Sequence, residues 1–293
     1  MEAGENESSL LVVIFDTNPN QRLYKEHQHV LTQTLESIIA FSNSHLMLGT
    51  KNKLAILTCH ARCTEFLYPC KEENSEVIRQ QDGQYELFTQ VEKTVRSNLQ
   101  KLLKRESAAA KQINSSESLI AGAIAMALCY INRHLELSNG EKLHSKILII
   151  TGSGETASQY MSYMSVFFTA QRQNILIDVC SLDQDLSLLQ QGCDITGGLY
   201  LKVPQLSALV QYLLWVFLPE PPLRNCLVLP PPVKVDYRAA CFCHQDLIDT
   251  GFVCSVCLSI FCKFSPICTT CHAVFKMPGP LPLKPKKKKM KYM

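Results

Sequence analysis

The sequence predicts an α/β domain built on a doubly wound, mainly parallel sheet, followed by a small C-terminal zinc-binding module. Three observations predict it. Apolar, β-branched runs alternate with stretches of helical spacing over residues 10–218. A proline-rich segment then ends that alternation, and beyond it lie seven of the chain's fourteen cysteines, including two Cys-x-x-Cys pairs. A chain of 293 residues, 46% of them apolar, fills one large core with length left for a smaller unit.

The first apolar run, residues 10–16 (LLVVIFD), runs into an Asp-Thr-Asn-Pro-Asn turn and reads as a buried strand feeding a loop. Over residues 23–45, Val30, Leu31, Leu35, Ile38 and Ile39 recur at helical spacing, so a helix follows. Residues 54–58 form the second strand, and the polar stretch 69–85 reads as a surface loop or insertion. Helical patterns resume over 86–105 and 116–134, the second presenting Leu119, Ala123, Met126, Ala127 and Tyr130 to a sheet. The next strand is 146–151 (KILIIT). After it come a helix over 155–173, with Tyr160, Met164, Phe167 and Phe168 on one face, and a strand over 174–182 (NILIDVCSL). A short helix over 185–193, a last strand over 196–202 after a Gly-Gly turn, and a helix over 206–217 complete the domain.

Composition narrows the function classes. The net charge of +3 comes from the lysine tail: Lys284, Lys286, Lys287, Lys288, Lys289 and Lys291 carry +6 and leave about −3 on the rest, so the body is not a basic nucleic-acid surface. The N-terminal residues are acidic and polar, without the pattern of a secretory signal. The longest later apolar stretch, 206–218, contains Gln211 and falls short of the roughly 20 residues that span a bilayer. The expected organisation is a flexible N-terminus over 1–9, the large domain over 10–218, a stiff, extended proline linker over 219–235, a C4-type zinc finger over 236–276 and a basic tail over 277–293.

Clustering of the cysteines favours metal over disulfides. Cys59, Cys129 and Cys180 sit singly beside apolar residues and are expected to be small core hydrophobes. Cys254, Cys257, Cys268 and Cys271 form two knuckles separated by ten residues, and four thiolates close a tetrahedron around Zn²⁺ with no position for a catalytic water. So short a segment lacks an adequate core, whereas zinc supplies roughly 10–16 kcal/mol of apparent folding free energy, so the metal is structural. Cys241, Cys243, His244, Cys262 and His272 are surplus and leave a second, cross-braced ion open. Phe252, Val253, Ile260, Phe261, Phe264 and Ile267 are expected to be exposed and to dock the module against something.

The strand and helix order over 10–218 resembles a von Willebrand factor A domain. That family holds a divalent ion with an Asp-x-Ser-x-Ser loop after the first strand and further oxygens from later loops. Here the loop is Asp16-Thr17-Asn18-Pro19-Asn20, and Gly152-Ser153-Gly154 stands where the second Asp is expected. One carboxylate with two amides suits a hard dication poorly. The expectation is that Asp16 and Asn18 cap the turn and the following helix, and that the domain binds proteins without a metal. Gly152 and Gly154 lack the rest of a nucleotide fingerprint, and Ser153 is not in a nucleophile elbow. His27 and His29, two apart on a predicted helix, should point away from each other. No catalytic residue is predicted.

A degenerate A-type domain, the Leu-Pro-Pro-Pro-Val connector, Asp236-Tyr-Arg-Ala-Ala-Cys-Phe-Cys, Gly251-Phe-Val-Cys-Ser-Val-Cys and a lysine tail together resemble the p34/Tfb4 family of subunits of the transcription and DNA repair factor TFIIH. The resemblance implies a nuclear, non-catalytic subunit of the TFIIH core, serving nucleotide excision repair and transcription initiation by RNA polymerase II. Its implied partner is the larger core subunit that carries both an A-type domain and zinc modules, and through it the helicase subunits. Contact with the polymerase machinery would be indirect, with no sequence-specific DNA binding and no membrane. The tail is compatible with nuclear import and weak phosphate contacts. Two alternatives stand beside this: a RING-like two-zinc ubiquitin-ligase component, which a single bound ion would dismiss, and a DNA-binding zinc finger, which the sparse Arg238, Lys263 and Lys276 argue against.

Overall fold

The computed structural model describes residues 8–27, 29–69, 86–109, 117–137, 143–154, 159–231, 234–244 and 246–275. It divides into two compact units, Met1–Tyr237 and Arg238–Met293. Most of the expected N-terminal segment and polar insertion, and the whole basic tail, lie outside the described residues.

The first unit is a six-stranded sheet in the order β3-β2-β1-β4-β5-β6, formed by Ser8–Asp16 (β1), Lys53–Cys59 (β2), Thr64–Tyr68 (β3), Leu143–Thr151 (β4), Leu176–Ser181 (β5) and Tyr200–Lys202 (β6). All neighbours are parallel except β3, which runs antiparallel to β2 at the edge. Because β1 is covered on both faces, its residues alternate between two cores. Leu10, Val12 and Ile14 pack under Ile120–Leu137 (α4) and Tyr160–Arg172 (α5), while Leu11, Val13 and Phe15 pack under Val30–Leu48 (α2) and Glu86–Ala109 (α3). This is the von Willebrand factor A-like, doubly wound arrangement the alternation predicts. Strand order reverses at β1, so the carboxyl ends of β1 and β4 open the crevice where such sheets gather ligands.

Several local expectations need correction. β1 starts at Ser8, since Ser8 and Ser9 already pair with Leu143 and His144. The edge strand β3 was not anticipated. The expected helix over 23–45 is two helices, Arg22–Glu26 (α1) and α2, and His27 and His29 lie at the break with ring centroids 5.9 Å apart, not on one helical face. On α4 the expected Ala123 and Ala127 are fully buried and Met126 and Tyr130 pack partly buried against the same core, with Ile120, Ile124 and Ile131 completing the stripe, while Leu119 just before the helix is exposed; Cys129 is exposed too, while Cys59 and Cys180 are fully buried. Phe167 is buried but Phe168 faces out.

Gly197 ends Ser187–Thr196 (α6) in the left-handed region at φ 74°, and its neighbour Gly198 passes so close to β5 that a Cβ there would lie 1.9 Å from the Ile177 carbonyl oxygen. The final helix is mixed: a 3₁₀ turn at Leu206–Ala208, one α turn at Leu209–Tyr212 (α7) and a π turn at Leu213–Phe217. Lys146 of β4, buried, donates from Nζ to the Phe217 and Leu218 carbonyls at 2.7 and 3.2 Å, and burial pushes its pKa down to about 8.

The proline segment is not a plain extended linker. Pro221–Arg224 (α8) is a helical turn, and Arg224 reaches back under the sheet to Asp178 of β5. Further on, Asp236 accepts from the Gln191 amide and Tyr237 donates to Asp194, tying the connector to α6.

The second unit consists of two short antiparallel ribbons, Ala239–Ala240 (β7) with Leu247–Ile248 (β8), and Phe252–Val253 (β9) with Ile260–Phe261 (β10), and a single bridge between Ile267 and Val274. Among the described residues its buried cluster consists of Cys254, Phe261 and Cys268, with Phe242, Cys257, Cys271, Ala273 and Phe275 partly buried against it.

Candidate functional site

Two places among the described residues gather the side chains that the sequence singles out. At the carboxyl end of β1, Asp16 is fully buried. One carboxylate oxygen accepts from the Ser118 hydroxyl at 2.8 Å and the Asn18 backbone N–H at 3.2 Å; the other accepts from the Thr151 hydroxyl at 2.7 Å. Ser118 and Ser153 hydroxyls stand 2.7 Å apart and extend the network. Burial raises the Asp16 pKa against the opposing pull of the Ser153, Thr151 and Ser118 hydroxyls and the Asn18 N–H.

This cage does not fit the divalent ion of a metal-dependent A-type domain. Among the described residues it holds one carboxylate, that of Asp16. Asn18 turns its amide NH2 toward Ser118 and the Glu117 carbonyl, at 3.1 and 3.2 Å, while its amide oxygen accepts from the Asn20 N–H at 3.0 Å. A donor thus faces the place where a cation needs an acceptor. The expected turn capping by Asp16 and Asn18 is present, but the cap on the following helix is not: α1 begins after Gln21 with no side-chain cap. Ser153 is bonded to another hydroxyl, not to an imidazole base.

The second place is the C-terminal unit. The structure brings Cys254, Cys257, Cys268 and Cys271 together, with ligand atoms all within 4.8 Å of one another. Cys257 and Cys268 sulfurs are 3.6 Å apart and those of Cys254 and Cys271 3.7 Å, close to the ~3.8 Å edge of a tetrahedron with Zn–S bonds of about 2.3 Å. The backbone builds this. The Cys254 N–H donates to Ser259 O and the Cys268 N–H to Ala273 O, closing two loops of equal length. Within them Leu258 and His272, each following the second cysteine, take φ of 60° and 59°. Non-glycine residues held in the left-handed region at matching positions mark an over-determined loop. The Val256 N–H faces the Cys254 sulfur at 3.4 Å and the Cys271 N–H faces Cys268 at 3.5 Å. The Ser259 hydroxyl, with its backbone N–H, holds Cys257 down to about 6, whereas against the pull of the Ala273 backbone, burial and the neighbouring Cys257, Cys268 and Cys254 thiols push Cys271 up to about 12.

The surplus residues separate. Cys241, Cys243, His244 and Cys262 form their own group, and His272 belongs to neither. Of the six apolar residues expected at the surface, Phe261 is buried and Ile260 partly so, while Phe252, Val253, Phe264 and Ile267 are exposed, joined by Val256, Leu258 and Val274. A third group in the first unit joins His60 and Cys63, from the loop between β2 and β3, to the distant Glu106 of α3, a pairing that local spacing does not announce. Its Glu106 and Cys63 lie 3.7 and 3.8 Å from the Arg105 guanidinium, an unfavourable neighbour for a cation.

With both places described, similarity to known proteins can be set beside them. The family model for Transcription factor Tfb4 matches residues 8–272. A Schizosaccharomyces pombe protein, general transcription and DNA repair factor IIH subunit tfb4, is 37% identical over 94% of this chain and 91% of its own length. The Arabidopsis thaliana subunit TFB4 of the same factor is 34% identical over 91% of this chain and 89% of its own. A crystal structure of the TFIIH p34 N-terminal domain superposes with a TM-score of 0.59 at 30% identity, covering 71% of this chain and 97% of that one. Since the match runs through the cage, the connector and both knuckles, the chain belongs to the Tfb4 family of transcription factors.

Proposed function

We propose that this chain is a non-catalytic, structural subunit of the TFIIH core complex, acting in the nucleus in nucleotide excision repair and in transcription initiation by RNA polymerase II. Its work is done by protein contacts. The A-type unit grips the larger core subunit that carries an A-type domain and zinc modules, and through it helps to organise the helicase subunits. The C-terminal unit folds around a structural Zn²⁺ on Cys254, Cys257, Cys268 and Cys271.

One observation carries the reading: the family match spans residues 8–272, thus both units, at a length close to that of relatives named as subunits of factor IIH. The cage supports the mode of action, because the crevice where an A-type domain would bind a ligand through a metal is filled by the chain's own hydroxyls around Asp16. Four thiolates leave a bound zinc no open position, which suits scaffolding and not hydrolysis.

Co-expression with the larger A-type subunit tests this. A tight one-to-one pair is expected, with no nucleotide hydrolysis by this chain alone and no change in the pairing when Mg²⁺ is removed by a chelator that spares zinc. Failure of the pair to form, or a Mg²⁺-dependent pair, would overturn the reading.

A further inference from the structure

We infer that the C-terminal unit holds a second zinc ion, on Cys241, Cys243, His244 and Cys262, interleaved with the first. The four ligand atoms lie within 4.8 Å of one another, three sulfurs and one imidazole nitrogen. Cys262 is the common neighbour: its sulfur is 3.3 Å from that of Cys243 and 3.2 Å from Nδ1 of His244. Three thiolates and one neutral imidazole are a donor set that Zn²⁺ takes in closed, structural sites.

The backbone supplies an independent argument. The unit contains three copies of one loop. The Cys241 N–H donates to Asp246 O, just as Cys254 donates to Ser259 O and Cys268 to Ala273 O, each bond spanning the same five residues at 2.9 Å. In the second and third copies the first residue and the one three positions on are both zinc-type ligands: Cys254 with Cys257, and Cys268 with Cys271. In the first copy the same two positions are Cys241 and His244. The first loop is therefore a knuckle in which imidazole replaces the second thiol, with Cys243 between and Cys262 completing the shell from the end of β10.

Chain order interleaves the two sets: Cys241, Cys243 and His244 for one, Cys254 and Cys257 for the other, Cys262 back to the first, then Cys268 and Cys271. The ribbon of β9 and β10 thus carries ligands to both ions, and each ion braces the loop that serves the other. Among the described residues the unit's buried cluster is Cys254, Phe261 and Cys268, a small core that metal binding would reinforce. A Cys243–Cys262 disulfide is the competing chemistry, since both thiols are free at 3.3 Å against about 2.05 Å for a bond. The inference does not depend on which complex the chain joins.

Native mass spectrometry and zinc quantification on the full chain, purified under reducing conditions, test it. Two ions per chain are expected, and X-ray absorption at the zinc edge should show a nitrogen shell beside the sulfur shell. His244→Cys should keep both ions and lose the nitrogen; Cys243→Ser with Cys262→Ser should lose one ion. Should the double variant misfold, the wild-type stoichiometry and the His244→Cys spectrum still decide. One ion per wild-type chain in an all-sulfur shell, or a mass short by the hydrogens of a disulfide, overturns the proposal.

Discussion

Arg224→Met should cost the first unit about 3–5 kcal/mol, although Arg224 lies in the proline segment beyond the last helix of the sheet domain. The magnitude follows from what is left behind. Asp178 on β5 is buried, and its carboxylate accepts from Arg224 Nη1 at 3.0 Å, from Nη2, and from the Leu199 N–H at 2.9 Å. Arg224 itself is almost as buried, and its Nε donates to the Pro219 carbonyl at 3.0 Å. A methionine fills the volume but leaves a carboxylate inside the protein with one backbone N–H donor, and with the Lys146 ammonium, itself bonded to the Phe217 and Leu218 carbonyls, to offset its charge from nearby. Asp178→Asn in the same chain removes the charge and keeps an acceptor for Leu199, so the double variant should recover to within about 1–2 kcal/mol of wild type, the scale of the hydrogen bonds still missing.

The assay is urea unfolding of the full chain followed by tryptophan emission. Trp215 is the chain's single tryptophan and sits in the π turn before α8, so the signal reports on the first unit and not on zinc loss from the second. With an m-value of at least ~2 kcal/mol/M for a unit of this size, the single variant should lower the midpoint by about 1–2 M. A single variant within ~1 kcal/mol of wild type, or a double variant no better than the single, would refute the claim that an uncompensated charge is what the substitution creates.

Two more consequences concern pH and backbone. Burial, then the nearby Lys146 charge, lowers the His45 pKa from 6.5 to about 4, so the folded state binds the proton less readily than the unfolded one; the stability this contributes is full above pH 6.5 and is lost as pH falls toward 4, about 3 kcal/mol in all. Urea midpoints by Trp215 emission across that window should fall less steeply for His45→Gln, and parallel curves would sink the assignment. Gly198→Ala drives a Cβ into the Ile177 carbonyl and should destabilise by more than ~3 kcal/mol, whereas Gly197→Ala meets nothing closer than 3.8 Å and should cost only the ~1–2 kcal/mol of a left-handed residue. Equal losses for the two would show that close approach to β5 is not the constraint.

What could be read from the sequence was what local periodicity encodes. The runs at β1, β4 and β5 are apolar on both faces because helices cover both faces, and no other environment tolerates LLVVIFD or KILIIT. β3 was illegible because an edge strand is half-exposed, and TEFLY alternates too weakly to declare itself. The break between α1 and α2 lies inside a pattern that continues on either side of it, so spacing alone joined them. The Asp178–Arg224 pair spans 46 positions and carries no local signature. In the C-terminal unit, Cys-x-x-Cys spacing declared one group of candidate ligands, while the other was visible only as surplus cysteines and a histidine, because Cys-x-Cys-His followed by a distant Cys matches no simple spacing. The third knuckle emerges from the repeated backbone bond. With the inferred second ion bound, a count of zinc would not separate a structural module from a ligase-like one, whereas transfer of ubiquitin would.

The two units solve opposite problems. In the first, a large core leaves the polar crevice at the carboxyl ends of β1 and β4 to be satisfied internally, and three hydroxyls with one backbone N–H around Asp16 do so. A cation there would have tied partner binding to an exchangeable ion and an open coordination position; hydroxyls fix the loops permanently and leave recognition to surface side chains. In the second, the buried cluster among the described residues is small, and two groups of side chains that could ligate metal gather beside it. Phe252, Val253, Val256, Leu258 and Val274 stay exposed because there is no interior large enough to receive them. Under the proposed function, a module held by coordination bonds would keep such an apolar surface available for assembly without collapsing around it.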